Sequence, residues 1–148
     1  MSLYQNILAV VDLSPNGAAV AARAQAQASA CGGAAVKLLH VVEYVPVEPL
    51  SDSLLPAVQI EGQLVERARA QLAQLANSLS PQPQWEVTVG NIKSEIVRVA
   101  RAGNHDLIVI GNHERHGLSI LVNLTEDAVL HAAPCDVLAV RLNQEGRG

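Results

Sequence analysis

The residues best suited to chemistry sit where two short apolar runs end. Val11-Asp12-Leu13-Ser14 closes one run and Ile110-Gly111-Asn112-His113 closes the other. Asp12 has two readings. Just ahead of a helix start its carboxylate would stabilise the positive end of that helix by about 0.3–1 kcal/mol, and in a crevice it would accept a hydrogen bond from a ligand amine or hydroxyl. His113-Glu-Arg-His116 gathers two imidazoles and a carboxylate. The helical zinc pattern H-E-x-x-H would need its second histidine where Gly117 stands, so no metal site is expected. No G-x-S-x-G elbow occurs, which argues against triad hydrolysis. Cys31 and Cys135 lack C-x-x-C spacing and read as small buried apolar residues, with a thiol sensor as the alternative. His40, His105 and His131 are scattered and read as structural or solvated.

These residues need elements to hold them. Asn6–Asp12 is short, almost wholly apolar and rich in β-branched residues, as expected of a parallel strand buried on both faces. Ser14-Pro15 then supplies an N-cap hydroxyl and a proline at the first helical position, and the alanine-rich helix to Ala30 stops at Gly32-Gly33. Ala35–Glu43 completes a βαβ unit. Tyr44 to Pro56 contains three prolines and reads as a loop. Ile60 to Leu79 shows helical spacing, with Ile60, Leu64, Ala68, Leu72 and Leu75 or Ala76 on one face. Trp85–Val89 alternates as a shorter strand, expected at an edge.

Asn91 can cap a third helix facing inward through Ile92, Ile96, Val97 and Ala100, and Gly103 can close it. Asp106–Gly111 is the second central strand. Asn123-Leu-Thr-Glu126 has capping-box spacing before a helix Ala128–Ala132, which Pro134 stops. Asp136–Leu142 is the last strand, and the tail from Asn143 should fray. Five strands alternating with four helices predict one α/β domain over residues 1–148, doubly wound and Rossmann-like, with a parallel sheet and right-handed crossovers. Ligands of such sheets bind beyond the carboxyl ends of the strands where chain order reverses. The ends at Asp12 and Asn112 are the expected neighbours there.

Composition narrows the function. The 148 residues are 49% hydrophobic, enough for one core that buries about 70% of the unfolded chain's surface. Ten basic against 14 acidic residues give a net charge of −4, which argues against nucleic acid or an anionic membrane as partner. There is no Phe, and Tyr4, Tyr44 and Trp85 provide no stacking series for single strands. No signal peptide precedes Asn6, and no apolar run approaches the roughly 20 residues of a membrane span. A cytoplasmic protein is expected.

Four segments carry a resemblance. Ile7-Leu-Ala-Val-Val-Asp-Leu-Ser-Pro15, Leu38-Leu-His-Val-Val42, Asp106-Leu-Ile-Val-Ile-Gly-Asn-His113 and Ala133-Pro-Cys-Asp-Val-Leu-Ala-Val140 resemble, in order and spacing, the universal stress proteins, above all their small A-type members. The resemblance implies strand order 3-2-1-4-5, a cytoplasmic homodimer joined through the last strand, and a regulatory or protective role in stress survival without a well-established reaction. Many members bind ATP through G-x2-G-x9-G-[ST] after the fourth strand. Here Gly111 and Thr125 match, but Glu114 and Leu124 replace two of the three glycines. A Cβ blocks the close approach of backbone N–H groups to phosphate. A carboxylate about 4 Å from a phosphate charge costs about 4 kcal/mol at an effective dielectric near 20, or about three orders of magnitude in affinity. Arg115, His113 and His116 could offset part of this. Were a nucleotide to bind, the resemblance would put Asp12 and Val41 near the base, Gly111 and Asn112 near ribose or phosphates, and Thr125 on a phosphate.

The dimer also follows from strand physics. If the last strand is an edge, Val137, Leu138, Ala139, Val140 and Arg141 present no Pro, Lys or bulge, and an unprotected edge tends to pair with another chain. A two-fold mate would cover both edges in one isologous contact. The alternative is shielding by the tail. The expected function is therefore a non-enzymatic stress protein, a homodimer acting through partner proteins without a cofactor. An ATP-binding switch with slow hydrolysis is the alternative.

Overall fold

The computed structural model describes residues 3–43, 54–112 and 127–142. Five parallel strands form one sheet: β1 (Asn6–Val10), β2 (Ala35–Glu43), β3 (Gln84–Gly90), β4 (Leu107–Asn112) and β5 (Asp136–Arg141), ordered β3-β2-β1-β4-β5. This is the order that the resemblance implied. The connections are the helices α1 (Pro15–Ala30), α2 (Leu54–Asn77) and α3 (Ile92–Ala102), with a short helix α4 at residues 127–132 before β5.

Apolar residues on both faces of the central strands explain the double winding. Ile7, Ala9 and Val11 face α1 and α2, where they pack with Ala21, Ala24 and Leu72. Leu8, Leu39 and Ile108 face the other way, onto Ile96, Val99 and Ala100 of α3 and Val129 of α4. Each large side chain so buried contributes about 1.5–3 kcal/mol. The alanines of α1 let its axis lie close to the sheet, since a larger residue at Ala21 or Ala24 would need room that neither has.

The structure departs from expectation in the start of α2 and in which residues of α2 and α3 face inward. Helix α2 begins at Leu54, so Pro56 lies inside its first turn instead of in a loop. Proline is tolerated there because a first-turn N–H has no helical acceptor. Leu64, expected to face inward, is 43% exposed, whereas Ala68, Leu72 and Ala76 are buried. On α3 the inward set is Ile96, Val99 and Ala100, with Val97 only half-buried beside it. The caps of α1 and α3 stand as expected, while the capping box Asn123–Glu126 lies outside the described residues. Ser14 caps α1 by accepting from the Asn16 N–H, with Pro15 in the first turn, and Asn91 caps α3 by accepting from the Ser94 N–H. Gly103 caps the end of α3, but the left-handed residue that turns the chain is Asn104, at φ 52°.

Two distant ties fix the ends of the sheet. Asp106 accepts from the N–H groups of Gln5 and Asn6, both at 2.9 Å, which binds the approach of β1 to that of β4. Tyr4 donates its hydroxyl proton to Asp136 at 2.7 Å and so joins the start of the chain to β5. Among the described residues no helix is long and apolar enough to cross a membrane.

Candidate functional site

Chain order reverses between β1 and β4, so the crevice lies at their carboxyl ends. The register pairs Val10 with Leu39 of β2 on one side and with Ile110 of β4 on the other. Two residues further along each chain stand Asp12, Val41 and Asn112. Three of the five expected site residues thus fall in one row across the top of the sheet, with Gly111 adjoining it.

Asp12 is held by its own neighbours. Beyond β1 the Val11 N–H still donates to Leu39 O at 2.9 Å, and His40 contacts Val11 O through Nδ1 at 2.9 Å. A carbonyl only accepts, so His40 must carry its proton on Nδ1. Asp12 Oδ1 then accepts from the Ser14 N–H at 3.0 Å and from the Ser14 hydroxyl at 2.6 Å. Ser14 Oγ in turn accepts from the Asn16 N–H at 3.1 Å, passing the carboxylate's negative charge to the amino end of α1. A Cβ on Gly17 would collide with the carbonyl oxygen of Asp12, so only glycine lets α1 start this close beneath it. Asp12 itself is exposed. The carboxylate thus supports the cap of α1, as the first of its two readings expected, and stays exposed.

Val41 is buried among Leu39, Ile96 and Ile110 and walls the α3 side of the sheet. Across the β2–β3 pairing it lies opposite Thr88, whose buried Oγ1 has no hydrogen-bond partner among the described residues. Gly111 has a packing role. A Cβ there would stand 2.8 Å from Leu142 Cδ1 and 3.1 Å from Val20 Cγ2, so a larger residue would have to displace the Leu142 side chain on the α1 side. Asn112 ends β4 opposite Arg141. Thr125, Glu114, Leu124 and the cluster His113 to His116 lie outside the described residues.

Other candidates take definite places. Cys31 is buried at the end of α1, as expected, whereas Cys135 is only half-buried, against the α3 face. Burial pushes the Cys135 thiol up, and the nearby Asp136 and Asp106 carboxylates push it further, away from the thiolate a sensor needs. Among the described residues no three His, Cys, Asp or Glu side chains converge as metal ligands. β5 stands at one edge of the sheet, and Ala139 and Arg141 are exposed on it.

Sequence reasoning missed Gly17 and His40 as parts of this site. A signal for the first was present: glycine inside an alanine-rich helix costs about 1 kcal/mol relative to alanine and needs a reason. His40 had none, because its partner is a backbone carbonyl on a neighbouring strand.

The model of the universal stress protein family matches residues 3–141. The chain belongs to the universal stress protein family. A curated member, Universal stress protein A homolog 1 of Coxiella burnetii, is 36% identical over 143 residues, 95% of this chain and 99% of the relative. Among solved structures, universal stress protein UspA from Lactobacillus plantarum is 28% identical with a TM-score of 0.72, covering 93% of this chain and 98% of its own. A universal stress protein crystallised in complex with cAMP shares the fold at a TM-score of 0.60 and 23% identity, over 95% of this chain and 98% of its own. For this universal stress protein the crevice at Asp12 is therefore the site to interpret.

Proposed function

We propose that this universal stress protein acts in the cytoplasmic stress response as a non-enzymatic homodimer that works through protein partners and binds ATP weakly or not at all. The observation that carries this reading is the pair Glu114 and Leu124 at two glycine positions of the family's phosphate-binding pattern. A side chain at each removes the space in which backbone N–H groups would meet phosphate, and Glu114 adds like-charge repulsion. The glycine that is kept, Gly111, also has a packing reason to be there. At the base end, Asp12, Val41 and Asn112 would still offer a carboxylate, an apolar wall and a polar residue. A nucleoside would fit that row better than a triphosphate.

The homodimer rests on β5. An edge strand of apolar residues without proline or lysine pairs readily with its two-fold mate, and Val137, Leu138, Ala139, Val140 and Arg141 would form the contact. Calorimetric titration with Mg-ATP tests the nucleotide part of the reading, with no saturable heat expected. Micromolar affinity would instead favour a switch that binds and slowly hydrolyses ATP.

A further inference from the structure

The amino-terminal end of the sheet, far from Asp12, closes around a buried imidazole. His105 follows the left-handed Asn104 at the turn from α3 into β4 and is only 8% exposed. Gly103 makes its place: a Cβ there would stand 2.6 Å from Nε2 and 2.8 Å from Cδ2 of the ring. Nδ1 is buried without a hydrogen-bond partner among the described residues. The residue also lines an open groove of about 650 Å3, through which water and protons reach it.

The same turn holds the start of the chain. Asn6 donates through Nδ2 to Gly103 O at 2.6 Å and to Asn104 O at 3.3 Å. The Asp106 N–H donates to Asn6 O at 2.9 Å, while the two Asp106 carboxylate oxygens accept from the Gln5 and Asn6 N–H groups. Little apolar burial backs these bonds: Leu3 is 75% exposed and Tyr4 and Asn6 are half-buried, whereas Ile7, Leu8 and Ala9 just beyond are fully buried. A segment tied mainly by hydrogen bonds near the surface opens at a lower free energy than the core it adjoins.

The neutral ring suits this setting and the charged one does not. Burial disfavours the imidazolium and Lys37 of β2 repels it, against a weaker net pull from the Asn6 backbone and Asp106. Lys37 is itself paired with Glu86 of β3 at 2.6 Å, and Arg101 in the last turn of α3 is exposed. The last turn of α1 and residues 81–84, which form the walls of the groove, carry no charged side chain. Asp106 is therefore the one carboxylate that acts on the ring, and both its oxygens already hold the chain start. A protonated ring has donors on both nitrogens. It is satisfied by turning out to water in the groove or by drawing Asp106 from the Gln5 and Asn6 N–H groups, and either movement disturbs the turn that holds residues 3–6.

We propose that His105 is a proton-operated latch, whose protonation releases residues 3–6 from the turn at 103–106 while the core of the sheet stays folded. The latch depends on neither the nucleotide reading nor the dimer.

The test is amide hydrogen exchange of the full chain followed by NMR between about pH 8 and pH 5, with the His105 ring titrated in the same samples. Protection of the Gln5, Asn6 and Asp106 N–H groups should fall by about tenfold per pH unit below 6.5 and level off at the ring's own lower value. In low urea their exchange should stay nearly independent of denaturant, the mark of a local opening, whereas exchange of the Leu39 and Ile108 N–H groups should rise with it. His105→Gln, neutral at every pH, should abolish the pH dependence of the three amides. Lys37→Gln decides if that variant does not fold: it removes the cation that repels the ring and should raise the pH at which protection levels off. Protection that does not change with pH, a loss that persists in folded His105→Gln, a level-off unmoved by Lys37→Gln, or a urea dependence equal to that of the core would overturn the proposal.

Discussion

Gly17 of α1 lies directly beneath the backbone carbonyl of Asp12, with no room for a Cβ between them. The Asp12 carboxylate and the start of the first helix are thus one packed unit, in which Ser14 links the carboxylate to the Asn16 N–H.

Gly17→Ala tests that unit. Intrinsic helix propensity alone favours alanine by about 1 kcal/mol, but the clash with Asp12 O should reverse the sign and destabilise the protein by about 1–3 kcal/mol. Urea unfolding of the two proteins measures it, and a more stable variant would show that the close approach is not required.

Gly111→Ala should destabilise by a similar amount, about 1–3 kcal/mol, by forcing a methyl against Leu142 and Val20. In a Leu142→Ala background the penalty should shrink, because the nearest atom has gone. Equal penalties in both backgrounds, measured by a double-mutant cycle, would place the role of Gly111 elsewhere.

His105 makes a pH prediction. Burial pushes its imidazole below the usual value of 6.5, partly opposed by the Asn6 backbone, with Lys37 lowering it further and Asp106 raising it. The unfolded chain then binds the extra proton first. Stability should be unaffected by this group above pH 6.5 and fall as pH drops from 6.5 through the lower native value. His105→Leu should flatten that part of the unfolding free-energy curve, and a curve of unchanged slope would show that His105 is not the group responsible.

Sedimentation at micromolar concentration should give twice the 15.6 kDa mass of the chain. A species of 15.6 kDa alone would remove the pairing of β5 with its mate.

What was legible in the sequence follows from the range of the forces involved. β1 and β4 could be read because burial on both faces of a parallel strand leaves a short continuous apolar run, and the caps at Ser14 and Asn91 because each satisfies an N–H within three residues. The start of α2 was misplaced since proline usually breaks a helix and is harmless only in its first turn. Val99 was passed over for Val97 because the apolar stripe of α3 is broad enough to include either, and only the position of Leu39 and Ile108 across the interface decides. The strand order, and with it the reversal between β1 and β4, followed from the resemblance and is the order observed. The bond from His40 to Val11 and the burial of His105 behind Gly103 depend on partners across the fold, which no spacing in the sequence encodes.

On the proposed reading, Glu114 and Leu124 deny phosphate a place in this universal stress protein. Calorimetric titration of nucleotide-free protein with Mg-ATP, beside the double variant Glu114→Gly and Leu124→Gly, addresses it most directly. Silence in the natural protein with binding restored in the folded variant is the predicted result. Micromolar binding by the natural protein would contradict it and make Arg115 and the neighbouring histidines the next residues to change.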